Sequence, residues 1–244
     1  MSAPAPAAAL ALQTFAPDGS AVRAVVAGAE VLLRASGALW LDRSRALVIA
    51  DLHLEKGSAY AARGQMLPPY DTRESLRRLT AEVEVLAPKV LVMLGDAFHD
   101  MGAGARLSDD DAHTVWALAG GRTLVWVTGN HDPRPPAHLP GDAMDEVDLA
   151  GLRLRHEPEA GPVSGEAAGH LHPCARIRGA GRSVRRRCFV TDGERLILPA
   201  FGAYAGGLNI RDPAFAGLFI RPPLAVALGP RRAHAVGWRS TVAD

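Results

Sequence analysis

Apolar, β-branched runs that stop abruptly at a glycine or a ligand-type side chain recur along this chain. The clearest is KVLVMLGDAFHD, residues 89–100, where a buried-strand pattern ends at Gly95 and delivers Asp96 at its end. ALVIADLH (46–53), TLVWVTGNHD (123–132), LRLRHEP (152–158) and EAAGHLHP (166–173) follow the same order. Each places Asp, Asn or His at or just beyond a predicted strand end. Five strands that aim polar side chains at one place would build a metal centre.

The segments between these runs predict the connecting elements. EVLLR (30–34) and ALWL (38–41) flank ASG as a hairpin, and RALVIAD (45–51) follows as a central strand. On an extended strand residues i and i+2 point the same way, so Asp51 and His53 are expected to reach one cation. Residues 54–70 read as a short helix and a loop ended by Pro68 and Pro69. Leu76, Leu79, Val83 and Leu86 keep helical spacing, Asp71 and Glu74 have capping-box spacing, and Pro88 closes the helix. Ser108 with Asp111 opens a second helix, which presents Val115 and Leu118 and stops at Gly120 and Gly121. This βαβαβ order implies parallel strands with helical crossovers, whose carboxyl ends are where such sheets bind ligands. After residue 150 the runs LRLRH, ARIR, RCFVT, RLILP, GLFIR and LAVAL alternate with Gly/Pro turns, which predicts a mostly β second layer. Repeats of solenoid period are absent.

Composition narrows this picture. With 244 residues, 48% hydrophobic and 22% charged, the chain can bury one core. Residues 21–244 are expected to form a single domain behind an Ala/Pro-rich, loose arm at 1–20. A net charge of +1 points to no particular partner. Two cysteines, Cys174 and Cys188, are too few for a disulfide framework, and the N-terminal stretch lacks the basic region of a signal peptide. No apolar run approaches the ~20 residues a membrane helix needs. A soluble cytoplasmic protein without a membrane partner is expected.

The candidate ligands are Asp51, His53, Asp96, Asn130, His131, His156, His170 and His172. A mixed carboxylate, amide and imidazole set suits Mn, Fe or Zn better than Mg or Ca. It exceeds the needs of one tetrahedral site, which implies two divalent metal ions. DLH, GDAFHD, GNHD, the lone His156 and GHLH, in that order, resemble the five motif blocks of calcineurin-like metallophosphoesterases. The resemblance implies an α/β fold, a four-layer α/β/β/α sandwich. It further implies Asp51, His53 and His172 on one metal, Asn130, His156 and His170 on the other, and Asp96 bridging them. His131 would lie beside the metals and assist the phosphate or leaving group. DLHLEKGSAYAARGQMLP, LGDAFHD, GHLHP and LILPAFGAYAGG extend the likeness, over most of residues 45–210, to the bacterial ligase-associated DNA-damage-response metallophosphoesterases. That narrower resemblance implies manganese-supported cleavage of DNA, single-stranded DNA as the favoured partner, and association with an ATP-dependent DNA ligase, a helicase and a nuclease.

Two positions depart from the broader pattern. Many relatives carry an Asp three residues after the bridging one, where it orients the GNH histidine; here that residue is His99. Asp100 or Asp132 could orient His131, or no side chain does. Glu55 stands where close relatives often have Gly, so it either narrows access or sits in solvent. Residues 175–188 carry Arg176, Arg178, Arg182, Arg185, Arg186 and Arg187. Arg forks match phosphate oxygens, so Arg182, Arg185, Arg186 and Arg187 are candidate nucleic-acid contacts, the alternative being a solvated hairpin in an Arg-rich protein. His138 and His234 lie outside every block, and Cys188 is expected to pack against a strand. The expected function is a binuclear phosphodiesterase, a DNA endonuclease of repair, with a metal-bridging hydroxide attacking phosphorus in line. The alternatives are a phosphomonoesterase or small-nucleotide phosphodiesterase, and a non-catalytic repair scaffold.

Overall fold

The computed structural model of the chain describes residues 13–15, 19–179 and 181–244. The first sheet begins as an antiparallel meander of β1 (Gln13–Phe15), β2 (Ala21–Val26), β3 (Ala29–Arg34), β4 (Leu39–Leu41) and β5 (Ala46–Ala50). From β5 onward it is parallel, through β6 (Val90–Leu94), β7 (Thr123–Val127) and β8 (Asp142–Met144). The crossovers carry α1 (Lys56–Ala61) and α2 (Asp71–Leu86), then α3 (Ala103–Arg106) and α4 (Asp109–Ala119). Leu76, Leu79 and Val83 of α2 and Val115 and Leu118 of α4 pack on Leu47, Ile49, Leu91 and Met93. Ala46, Val48, Ala50, Val92 and Leu94 turn to the opposite face. Burial on both faces explains why these strands read as unbroken apolar runs rather than alternating ones.

The second sheet contains β9 (Glu146–Leu149), β10 (Leu152–Arg155), β11 (Glu166–Ala168), β12 (Cys174–Gly179), β13 (Arg182–Thr191), β14 (Arg195–Ile197), β15 (Leu224–Leu228), β16 (Ala233–Gly237) and β17 (Thr241–Val242). Its order is β16-β15-β13-β14-β11-β10-β9, with β12 paired to β13 and β17. Leu152, Leu154, Ala167, Phe189, Leu196 and Val226 close against the first sheet, so the principal core lies between the two sheets. The alternate residues Cys188, Val190, Ala225 and Ala227 form a smaller outer cluster with Ile210, Phe219 and Trp238. The architecture is therefore mixed α/β, two large sheets face to face, with the α-helices outside the first. Loops and two 3-10 turns, Pro213–Phe215 and Trp238–Ser240, lie outside the second.

Several local expectations change. GLFIR (217–221) is loop, because Ile220 N donates to Asp192 Oδ2 (2.8 Å) and Leu218 O accepts from the buried Arg195, which replaces a strand ladder. Asp71 does not cap α2; its Oδ2 accepts from Gly57 N (3.0 Å) and ties α1 to α2. Ser108 does cap α4, accepting from Asp111 N. Within the stretch read as a loose arm, Gln13–Phe15 pair with β2, while residues 1–12 and 16–18 lie outside the described residues. No helix among the described residues is long and apolar enough to cross a membrane.

Candidate metal centre

Both sheets deliver side chains to one cleft. Asp51 and His53 follow β5, Asp96 follows β6, and Asn130 and His131 follow β7. From the second sheet, His156 follows β10 and His170 and His172 follow β11. The backbone turns left-handed at Asp51 (φ 53°), His53 (46°), Asp96 (44°), His170 (67°) and His172 (45°). Such residues cost on the order of 1–3 kcal/mol each and persist where the surroundings over-determine them. This corrects the extended-strand geometry expected for Asp51 and His53. β5 ends at Ala50, and His53 N bonds to Asp96 O (2.9 Å), so a curled segment rather than strand periodicity brings the two side chains together. The following strand ends are equally tight. A Cβ on Gly129 would lie 2.3 Å from both the backbone N and Oδ1 of Asp96, so only glycine lets the two turns approach this closely.

The donor atoms fall into two groups with one carboxylate between them. Asp51, His53 and His172 form the first: His172 Nε2 lies 3.2 Å from Asp51 Oδ1 and 3.3 Å from His53 Nε2. Asp96, His156 and His170 form the second, to which Asn130 contributes Oδ1, 2.9 Å from His156 Nε2 and 3.0 Å from His170 Nδ1. Asp96 faces both, with Oδ1 3.4 Å from His156 Nε2 and Oδ2 3.9 Å from His53 Nε2. Its Oδ1 also accepts from His131 N (2.9 Å), and both Asp51 oxygens accept from His170 N.

The electrostatics fit a cation in each group. Burial, then the facing His172, drives His53 down to about 3, which leaves a neutral imidazole with its lone pair available. Burial alone would raise the Asp96 carboxyl, but the bond and charge of His156 and the His131 N–H outweigh it and bring it down to about 2. Burial would lower His156; its bond to Asp96 and the charges of Asp51 and Asp96 carry it above its ordinary value. Imidazole nitrogens 3.2–3.3 Å apart beside ionised carboxylates are poor neighbours for one another and good neighbours for a shared divalent ion.

His131 is placed differently. Its side chain is 41% exposed, and its Nδ1 lies 2.8 Å from His99 O. A carbonyl only accepts, so Nδ1 carries the proton and Nε2 is the free nitrogen. Neither predicted acid orients this ring. Asp100 binds Arg106 (2.8 and 2.9 Å) and Gly102 N, whereas Asp132 is buried, accepts from Phe98 N (2.9 Å), and is pushed up to about 7 chiefly by burial. Glu55 neither narrows the cleft nor sits in solvent: it is buried and accepts from Ser58 Oγ (2.6 Å) and Thr72 Oγ1 (2.9 Å). His99 was not among the candidates, yet it groups with His53 and His131, its ring stacked 5.5 Å from that of His131. Its place in GDAFHD was the available signal.

The arginine segment forms the β12–β13 hairpin, and its register divides the four predicted contacts. Cys174, Arg176 and Arg178 pair with Arg187, Arg185 and Ser183, while Ala175, Ile177 and Gly179 pair with Arg186, Val184 and Arg182. Alternation puts Arg185 and Arg187 on one face and Arg182 and Arg186 on the other. Arg187 bonds Ala200 O (2.9 Å) and Gly202 O (3.0 Å), Arg185 bonds Gly207 O (2.6 Å), and Arg182 sits exposed at the far end.

Residues 44–180 match the family model of calcineurin-like phosphoesterases. The fold is similar to the crystal structure of Pseudomonas putida nuclease MPE, with 26% sequence identity and a TM-score of 0.68, covering 88% of this chain and 100% of that one. YfcE, a phosphoesterase from E. coli, is 17% identical over 79% of this chain and 98% of its own, with a TM-score of 0.38. No curated protein matches the chain. Likeness to a nuclease along most of its length accords with the narrower resemblance to the ligase-associated group. The family match begins before Asp51 and runs beyond His172, so it encloses every residue that the two donor groups unite. This chain belongs to the calcineurin-like phosphoesterase family and is a metal-dependent phosphoesterase.

Proposed function

We propose that the protein is a binuclear phosphodiesterase that cuts DNA, single-stranded DNA by preference, in cytoplasmic DNA repair. The observation that carries this reading is the pair of donor groups sharing Asp96, with His131 exposed beside them. Asp51, His53 and His172 would hold one divalent ion, Asn130, His156 and His170 the other, and Asp96 both. Mixed nitrogen and oxygen donors suit manganese, iron or zinc, and the motif resemblance puts manganese first. When bound, the two ions supply an acidified water and neutralise charge on the phosphate oxygens.

The chain supplies position and an imidazole. Asp96 Oδ1 accepts from His131 N and His99 O accepts from Nδ1–H, so the ring is held at both ends, and Nε2 would serve the leaving oxygen in the form that carries a second proton there. Left-handed backbone holds Asp51, His53, Asp96, His170 and His172 at fixed positions, which lowers the reorganisation needed when substrate arrives. Association with an ATP-dependent DNA ligase, a helicase and a nuclease belongs to the same proposal and rests on the motif resemblance. Similarity to the Pseudomonas putida nuclease supports a nucleic acid over a small ester.

The test is a metal-defined assay of single-stranded DNA, duplex DNA, a chromogenic diester and a phosphomonoester. Manganese-dependent cleavage of single-stranded DNA and the diester is expected. Faster turnover of the monoester would replace this reading with a phosphatase, and no turnover of any substrate would leave a scaffold.

A further inference from the structure

A second cleft, of about 610 Å³, lies between α2, the β3–β4 turn and the hairpin, and is lined by Ser36, Glu74, Arg78, Arg185, Arg186 and Arg187 among others. Its charge is unbalanced. Glu74 is committed to Arg77 through bonds of 2.7 and 2.8 Å, and Arg185 has Asp244 at 3.4 Å. Among the described residues, Arg78, Arg186 and Arg187 form no ion pair. Arg78 instead bonds Phe201 O (2.9 Å) and Ser36 O (2.8 Å), Arg187 bonds Ala200 O and Gly202 O through one nitrogen, and Arg186 bonds Arg185 O (3.0 Å). Carbonyl bonds fix the guanidinium heads without neutralising them. Burial, then the charge of Arg187, pulls Arg78 down to about 10, against the opposing charges of Glu74 and Glu82.

The position of this cleft suggests its ligand. Residues 200–204 form a partition between it and the metal centre. On one side Phe201 N and Gly202 N donate to Ala50 O (2.8 Å) and Asp51 O (3.2 Å), beside the first donor group. On the other side the carbonyls of residues 200–202 take Arg78 and Arg187. A polymer with one phosphodiester at the metals has further phosphates to place, whereas a small ester has none. Preset guanidinium forks suit phosphate oxygens. We propose that the cleft of Arg78, Arg186 and Arg187 binds a backbone phosphate of the nucleic-acid chain, outside the bond being cut. This rests on the DNA phosphodiesterase reading and adds a second contact point to it.

Arg186 is the residue to test, because it is exposed and its one bond goes to a neighbouring carbonyl. Arg43, in the turn before β5 at the opposite end of that strand from the metal centre, is the matched control. Binding of a phosphorothioate-linked single-stranded oligonucleotide, which resists cleavage, is followed by fluorescence anisotropy across a salt series with the metal-loaded full chain. Arg186→Gln should weaken binding and flatten the slope of log affinity against log salt by about 0.7, the loss of one single-strand phosphate contact. Arg43→Gln should do neither. Equal slopes for wild type and Arg186→Gln would overturn the proposal. Inorganic phosphate that raises the melting temperature of wild type more than that of Arg186→Gln, with oligonucleotide slopes unchanged, would reassign the cleft to a free anion and also overturn it. Hydrolysis of the chromogenic diester is read separately. Its absence would refute the phosphodiesterase reading and leave an Arg186-dependent slope as evidence for the cleft.

Discussion

The metal centre and the arginine hairpin are both dense in polar side chains, yet they use them in opposite ways. At the metal centre, residues come from five separate segments, all but Asn130 and His131 are buried or half-buried, five lie on left-handed backbone, and they are held by neighbours from other segments. The hairpin is regular β structure, its arginines come from one short stretch, and most are exposed. In the first region a side chain's place depends on the whole fold. In the second it depends on one register. Substitutions should accordingly act together at the centre and one by one on the hairpin.

The strongest challenge to this contrast is Asp96→Asn. Its two oxygens face both donor groups, so metal at both positions and phosphodiesterase activity should fall together, by more than the ~10–100-fold typical of partners one layer out from a ligand. Elemental analysis and diester turnover check it, and near-normal metal content would remove Asp96 from the shared position. His131→Ala tests separation within the same cleft. Metal content should stay while kcat drops ~10²–10⁴-fold, since the ring is exposed and held by a main-chain carbonyl. Loss of metal from a folded His131→Ala protein would make it a ligand.

Gly129→Ala asks how tightly the segments are coupled. The added methyl meets Asp96 at 2.3 Å, so metal affinity should weaken by roughly 10–100-fold although no ligand is altered. Metal titration with an unchanged affinity would show that the two turns can part. The smallest effect is expected at the hairpin tip. Arg182→Gln should leave the salt slope of oligonucleotide binding where wild type has it, because Arg182 pairs with Gly179, beyond the cleft-lining residues 185–187. A flattening by about 0.7 would extend the phosphate path to the tip.

The order of elements through residue 132 was legible because it rests on local pattern. A parallel strand covered on both faces needs a continuous apolar run, and a strand that ends at a site needs a polar residue next. The seven candidate ligands named from motif order, including the isolated His156, lie together in the structure. GLFIR misled for the same reason: apolar residues also cover loops, and the bonds to Asp192 and Arg195 that make it one come from distant segments.

What the chain alone determined is therefore which side chains meet and in which order the strands present them. Tertiary structure decided how they meet. Left-handed backbone at Asp51 and His53 follows from the bonds to the Gly95–Asp96 turn, which no spacing within DLH encodes. The partner of His131 is a carbonyl, a group every residue carries, so no side-chain pattern could single out His99 O over Asp100 or Asp132. Glu55 became a buried acceptor for Ser58 and Thr72 once α1 and α2 packed together. The arginines of the hairpin were divided by a register in which one residue of slip would exchange the two faces.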